Sequence, residues 1–497
     1  MARKNKFTAE EAKIIDSYFT NRYQKVFALK NLPEAIKGAL FARYSRTHKP
    51  LRRLFLDEFY SDAMPEPVEY VPNRRAREFY HRVVDEYGDD SVMQLGSAHI
   101  AVEGYSILAA KELQRSRLAA YLEKSTRYLT YKGFNFDCVT DTRWLDNKHL
   151  VKAQEVMKNA YESGLRNYFH KDDLRGLLPV SLKTNFGIHA NGQALERMVT
   201  RNSAFYNNWE VHRASTGIRT AATKVMPEFM WRANNLNYKS HAHGNINFYR
   251  QRKAGAKLFA VQSVPKPTPF VESPKATLIS FGGTGELLDV MMNYRYSNSS
   301  FENMKNYLAH NNSEIRDKHH QALQRNIFKY RTNRRHLPER MFEGVNATFE
   351  IVSDYATYRD LQRHRMLTIE AQEFGPHLGF HTPYAILADN KMNTIWNQAM
   401  SDGVKAYKHY DMYTTTDDPY TRQLALPMAF NIRYLIHANL RQLMYMIELR
   451  SGPGAHSVYK SIATQMYEQL RQVCKDQLDI DFDLKFFGGK DDEFFQR

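Results

Sequence analysis

Residues 361–365 read LQRHR and residues 113–117 read LQRSR, so Arg363 stands 248 residues after Arg115 (363 − 115), half the length of the chain. The same spacing pairs Leu178-Pro179 with Leu426-Pro427 and Asn191 with Asn439. Further upstream ARYS at 42–45 answers YRYS at 294–297, with only a few residues of slippage. Several spaced matches in one register describe an internal duplication, and that reading governs everything else about the fold.

Working outward from the two motifs, the copies separate in the stretch 236–275, where the sequence turns polar and then proline-rich. PKPTPFVESP at 265–274 reads as an extended connector. The expected organisation is therefore a first domain over 1–235, a linker over 236–275 and a second domain over 276–497. The apolar, partly β-branched ATLISF at 276–281 reads as the first strand of copy two, and ATFEIV at 347–352 as another. Segments near 34–45, 150–168, 189–200, 392–411 and 438–450 read as helices, and the polar stretch 297–335 as a solvated basic helix. Helices mixed with a few short strands predict an α+β fold, each copy a small mixed sheet packed with long helices, and not a doubly wound sheet. FGGTGELL at 281–288 lacks the Lys-Ser/Thr ending of a phosphate loop.

Composition bounds the function. The chain has 497 residues, 13% aromatic, with 70 Lys and Arg against 54 Asp and Glu and a net charge of +16. So many aromatics exclude a wholly disordered chain. The two cysteines, Cys138 and Cys474, exclude a disulfide scaffold and a four-cysteine zinc site and fit a reducing compartment. Both read as structural. No run of about 18 apolar residues offers a membrane span. The first twenty residues carry charges throughout, without the apolar core of a signal peptide, so a cytoplasmic protein is expected. The basic balance calls for anionic partners, whether nucleotides, phosphorylated cofactors or nucleic acid. With no aromatic-interleaved basic stripe, nucleic acid is the least expected of these.

The motif itself has a physical reading. Asp354 is a natural helix N-cap, and Ser106 holds the equivalent place in copy one. Nine residues on, about 13 Å along a helix, come the cations of the triplet, where a helix C-terminus favours positive charge. Arginines two apart on a continuing helix point about 200° from each other. Arg363 and Arg365 can meet one ligand only if the helix ends there. Such a group suits a phosphate or an electron-rich ring, while plain surface charge explains it equally well. Asn439 and Arg450 lie eleven residues apart, about three turns, on nearly one helix face. That face could lie along an elongated cofactor or be an ordinary amphipathic helix with polar ends.

Taken together, FEGVNATFEI and RDLQRHR of copy two, RSRLAAYLEKSTRY and DDLRGLLP of copy one, and NLRQLMYMIELRSGPGAH at 439–456 resemble the flavin-dependent thymidylate synthases, the ThyX family. That family's signature is Arg-His-Arg, seven residues, Ser, often extended to Ser-x-Arg-Tyr. The resemblance implies an α+β fold and methylation of dUMP to dTMP. Methylenetetrahydrofolate would be the carbon donor, FAD the redox carrier and NADPH the reductant. It also implies an assembly with sites between subunits, which two chains of this duplicated kind would reproduce as a homodimer.

By this resemblance the signature is divided between the copies. Copy one keeps Arg115 and Arg117, which imply flavin contacts, but Ser116 replaces the histidine. It keeps Glu123, Ser125, Arg127 and Tyr128, the part that grips dUMP, and Arg175, the phosphate-binding arginine. Copy two keeps the flavin-facing Arg363, His364 and Arg365, the flavin contacts Asn439 and Arg441, and Arg450, which polarises the uracil. Its signature serine is Glu373, the Ser-x-Arg arginine is Gly375 and the phosphate arginine is Gln423. Copy one has Gln193 and Asn202 where Arg441 and Arg450 would fall, and Gly96 and Gly344 stand where the family often has histidine. Copy one is thus expected to supply the dUMP cradle and copy two the flavin triplet and Arg450, as a composite site with Arg450 and Ser125 at the reacting pyrimidine. Two other readings stand beside it. One is a flavin- and folate-dependent methylase of RNA or another pyrimidine, and the other is a degenerate nucleotide-binding pseudoenzyme.

Overall fold

Alternating apolar side chains set the two sheets. In β2 (Ser97–Ser106) Ile100 and Val102 face one way and Ala101 the other, and in β6 (Asn346–Asp354) Ala347, Phe349 and Ile351 share the buried face. The computed structural model describes residues 7–61, 64, 67, 74–131, 148–204, 208–235, 244–251, 274–294, 296–310, 317–318, 321–322, 330–413 and 419–489. Most of the expected linker and Cys138 lie outside them, as do most of residues 311–329 of the polar stretch 297–335. Of that stretch Phe301–His310 is helical, whereas 330–335 is not a solvated helix and buries Arg331.

With β1 (Val26–Ala28), β3 (Ala119–Glu123) and β4 (Lys183–Asn191), β2 forms a four-stranded antiparallel sheet in the order β1-β2-β4-β3. With β5 (Lys275–Gly282), β7 (Thr368–Ala371) and β8 (Asn431–Asn439), β6 forms a second in the order β5-β6-β8-β7. The order recurs strand for strand, and Ile188 and Ile436, 248 residues apart, hold matching places opposite Ile100 and Phe349. The chain is an α+β protein made of two copies of one design.

Helices of copy one include α1 (Ala9–Tyr18), α2 (Glu34–Tyr44), α3 (Leu51–Glu58), α4 (Ile107–Leu113), α5 (Lys148–Arg166), α6 (Gly192–Ser203) and α7 (Trp209–Val225). Its sheet has two dressed faces. Ile100, Val102, Phe186 and Ile188 pack with Leu195, Val199, Val211 and Ile218 of α6 and α7. Phe27 and Ala101 pack with Ile15, Leu40, Phe41, Leu54 and Phe55 of α1–α3. Phe41 lies so close to the sheet that a Cβ on Gly187 would stand 2.7 Å from its ring.

The chain forms two compact units, and they do not follow the sequence boundary. One comprises residues 1–266 with 383–427, the other 267–382 with 428–497. Segment 383–427 belongs to copy two by sequence, yet it sits in the unit of copy one because its contacts are there. Its helix Asn390–Tyr413 packs along α5. Pro427 bridges Pro179, and the Val180 N–H donates to the Leu426 carbonyl at 3.0 Å. Tyr420 reaches buried Glu210 and Ser106, its hydroxyl donating to the Glu210 carboxylate and lying 3.0 Å from Ser106 Oγ. Burial pushes the Glu210 carboxyl above its ordinary range, while the hydroxyls of Ser106 and Tyr420 pull it back.

In the second unit α8 (Tyr355–Leu361), α9 (Leu440–Ser451) and α10 (Ser457–Leu478) accompany the sheet. Edge strand β5 is sealed by α10: Gln465 and Gln469 accept from the N–H groups of Ala276 and Leu278 at 2.8 and 2.7 Å. Those glutamine amides take the place of a neighbouring strand. Cys474 is buried in α10, and burial pushes its thiol up to about 12, which makes it inert. Among the described residues no helix is long and apolar enough to cross a membrane, and no three His, Cys, Asp or Glu side chains group as a metal site.

Candidate functional site

The triplet of copy two begins where a helix stops. Asp354 caps α8 by accepting from the Thr357 N–H at 2.9 Å and the Thr357 hydroxyl at 2.8 Å. The helix ends at Leu361, and Gln362, His364 and Leu367 then close successive tight turns onto Tyr358, Leu361 and His364. The break the sequence requires is present, but its effect is to separate the side chains. His364 turns inward and is buried, while Arg363 and Arg365 are exposed to either side of it. Arg363 pairs with Asp360 at 3.4 Å.

Arg450, in the last turn of α9, meets the buried histidine. Its Nε donates to His364 Nε2 at 2.9 Å and its Nη2 to the Asp360 carbonyl at 2.9 Å. Its guanidinium also lies over the Tyr459 ring, 5.3 Å from the centroid. An acceptor at Nε2 makes His364 neutral with its proton on Nδ1. Burial, then the charges of Arg450 and Arg363, push the His364 imidazole down to about 3. Burial likewise lowers Arg450 from its ordinary value, against the pull of Asp360 and Tyr459. The result is a half-buried cation, partly shielded from water, beside a ring that cannot compete for its charge.

The other end of α9 also carries expected site residues. Asn439 is its N-cap, accepting from the Gln442 N–H at 2.9 Å. Arg441 donates from Nε to the Pro338 carbonyl at 2.7 Å and from Nη1 to Glu343 at 3.1 Å. Glu343, held below the ordinary carboxylate range chiefly by Arg340, lines a cavity of about 630 Å³ with Met291, Met292, Met341, Tyr296, Gly344 and the charged Glu339 and Arg340. Tyr296 belongs to the repeated YRYS string, and a Cβ on Gly344 would meet Met291 Sδ at 2.8 Å. Methionine therefore fills space that a larger residue at 344 would need.

Copy one builds its part differently. The Ser125 N–H donates to the Ser45 carbonyl, and Ser125 Oγ accepts from the N–H groups of Arg127 and Tyr128 at 3.1 and 3.2 Å, a tight hydroxyl-capped turn. Arg127 grips Asp172 through Nε at 2.9 and 3.0 Å and Nη2 at 2.7 Å. Arg175 begins the next helical turn and is 2% exposed. Glu123 is drawn inside: Lys111 Nζ lies 2.6 Å away, with both side chains under 5% exposed, and Gln114 and Thr184 donate to it at 3.2 Å. Arg115 pairs with Glu112 at 3.5 Å, and Arg117 is exposed. Ser116 and the buried Asn202 stand where copy two has His364 and Arg450, so copy one has no such pair.

The sequence reading passed over Lys111, Asp172, Asp360 and Tyr459. A single lysine in the apolar helix ILAAKEL was the available sign of an internal ion pair. The joint loss of His364 and Arg450 in copy one was the sign that these two touch.

Comparison with known proteins agrees with this architecture. The model of the family described as thymidylate synthase complementing protein matches residues 39–228 and again 279–474. The chain belongs to that family, the ThyX proteins, as a tandem duplication of two diverged domains. It is 33% identical over 516 residues to a UPF0159 protein of Chlamydia pneumoniae, covering 96% of this chain and 94% of that one. A UPF0159 protein of Thermoplasma acidophilum is 26% identical over 498 residues, covering 88% and 93%. The flavin-dependent thymidylate synthase of Pyrococcus furiosus is 23% identical over 191 residues, which are 37% of this chain and 75% of that enzyme. Relatives bearing the enzyme's name thus match a length close to one copy, and the UPF0159 relatives match both.

Proposed function

We propose that the chain is a methyltransferase of the flavin-dependent thymidylate synthase type. It converts dUMP to dTMP with methylenetetrahydrofolate as carbon donor, FAD as redox carrier and NADPH as reductant. The observation that carries this is the Arg450–His364 pair of copy two, a half-buried guanidinium held against a buried imidazole. A guanidinium fixed and partly shielded from water stabilises negative charge developing on a pyrimidine ring better than one in water. Copy one contributes the nucleotide side, with Arg175 and Arg127 toward the phosphate and Ser125 beside the pyrimidine.

The residues of copy two fit a flavin on one observation, the methionine-lined cavity with Tyr296 at its wall and Arg441 anchored on Glu343. A ring system suits the adaptable methionine side of this lining, and Arg340 and Arg441, both paired with Glu343, stand where charge could meet its phosphates. When bound, the flavin would supply the electrons that reduce the transferred carbon to a methyl group. Glu373, exposed where the family has its serine, disfavours a second phosphate in copy two, so each chain has one kind of nucleotide cradle. Two chains would form the working homodimer, in the cytoplasm.

The division of labour is tested by binding. Arg175→Ala should lose dUMP binding by calorimetry and keep flavin absorbance, while Arg441→Gln should do the reverse. An Arg175→Ala protein that binds and turns over dUMP normally contradicts the assignment. Turnover of uracil in RNA, with none of dUMP, favours the RNA-methylase reading instead.

A further inference from the structure

Two residues before Arg450, about 200° around α9, Glu448 is fully buried. Arg331 holds it in a bidentate pair, Nη1 to Oε1 at 2.9 Å and Nη2 to Oε2 at 2.6 Å. Arg331 is itself 3% exposed and is fixed by the His336 carbonyl at 2.6 Å and by the Phe486 ring, 5.1 Å away. Phe486 belongs to a C-terminal strap over 480–489, in which Ile480, Phe482, Leu484 and Phe486 are buried. Lys485 of the strap donates to the Arg331 carbonyl at 2.8 Å, and the Gly488 N–H donates to Ser451 Oγ at 2.9 Å. Gly489, at φ 80°, closes on Pro453 so tightly that a Cβ there would lie 2.4 Å from the proline ring. The last turn of α9 is thus gripped on the side away from His364.

We propose that Arg331 and Glu448 are positioning residues for Arg450, a buried brace that with the C-terminal strap fixes the last turn of α9 so that Arg450 meets His364. Stability alone does not explain such a pair, since apolar replacements of buried ion pairs are often neutral or stabilising. A buried charge pair has one low-energy register, whereas an apolar contact tolerates rotation and slippage of the helix. The internal comparison points the same way. Copy one has Thr200 and Asn202 at the equivalent positions, lacking both the braced carboxylate and the cation, and its own buried pair, Arg232–Glu196, lies one turn earlier. The catalytic consequence rests on the proposed function. The positional claim does not.

The test is the double variant Arg331→Met/Glu448→Leu in the full-length protein, with Arg450→Lys added to complete a cycle. The brace predicts little change in melting temperature. Because Arg450 adds to burial in holding down the basicity of His364, the NMR titration of His364 should move up. kcat/KM for dUMP should fall about 10- to 100-fold, and Arg450→Lys should cost far less in the double variant than in the wild type. A double variant with unaltered His364 titration and full additivity with Arg450→Lys overturns the proposal. Should the double variant not fold, Ser451→Ala, which removes the strap's anchor at Gly488 and a 3.4 Å bond to the Glu448 carbonyl, must shift the His364 titration in the same direction or the proposal fails. A wild type without dUMP turnover, whose His364 titration still moves in the variants, sinks the proposed function and leaves the brace standing.

Discussion

Arg450 Nε donates to His364 Nε2 across 2.9 Å, joining the last turn of one helix to the loop after another, 86 residues away in sequence. That bond fixes the tautomer of the histidine and the direction of the guanidinium at once. Losing a preorganised cation of this kind typically costs a factor of about 10²–10³ in turnover. Arg450→Ala should therefore lower kcat for dUMP by that factor, and His364→Gln, which lets the guanidinium swing, by a smaller one. Steady-state kinetics on the two variants checks the order.

The same histidine makes stability pH-dependent. Its folded value of about 3 lies below the ordinary 6.5, so between these limits the unfolded chain binds a proton that the native protein refuses. Its contribution is complete above pH 6.5 and is lost as pH falls toward 3, at about 1.4 kcal/mol per pH unit. Urea unfolding from pH 7 to pH 4 should show a shallower loss for His364→Gln than for the wild type.

Copy one's ion pair gives a contrasting prediction. Lys111→Met takes from the buried Glu123 side chain the cation 2.6 Å away, which should cost up to about 3–5 kcal/mol. Lys111→Met/Glu123→Leu should recover most of that in chemical denaturation. If Glu123 also contacts the nucleotide, this stable double variant will bind dUMP weakly, and calorimetry separates the two roles.

Tyr420 anchors the 383–427 segment through Glu210. Tyr420→Phe removes one donor from a buried carboxyl group, at about 1–3 kcal/mol, and should speed hydrogen exchange selectively over 390–413. Gly187→Ala pushes a methyl into the Phe41 ring. It should cost about 1–3 kcal/mol and lower the melting temperature without touching either half of the site.

The duplication was legible because LQRSR and LQRHR, Pro179 and Pro427, and Asn191 and Asn439 keep one spacing, and a conserved spacing means a conserved sheet order. The caps Ser106 and Asp354 and the helix 440–451 were legible because caps and periodicity are local. What escaped are pairings across large separations: Tyr420 with Glu210, Lys111 with Glu123, Arg331 with Glu448. No local pattern says which of several buried charges will meet. The recruitment of 383–427 into the first unit escaped for the same reason, since α5 and the Asn390–Tyr413 helix are each ordinary amphipathic helices until they pack together. The separation of Arg363 and Arg365 by an inward His364 was half legible: the helix had to stop there, but the turn that follows decides which side chain is buried.

The central claim is best tested by release of tritium from dUMP labelled at C5. Purified protein supplied with FAD, methylenetetrahydrofolate and NADPH should release tritium to water in step with dTMP formation, and Arg450→Ala should lower both together by a factor of about 10²–10³. Flavin-loaded, folded protein that binds dUMP but releases no tritium and forms no dTMP under these conditions would contradict the account.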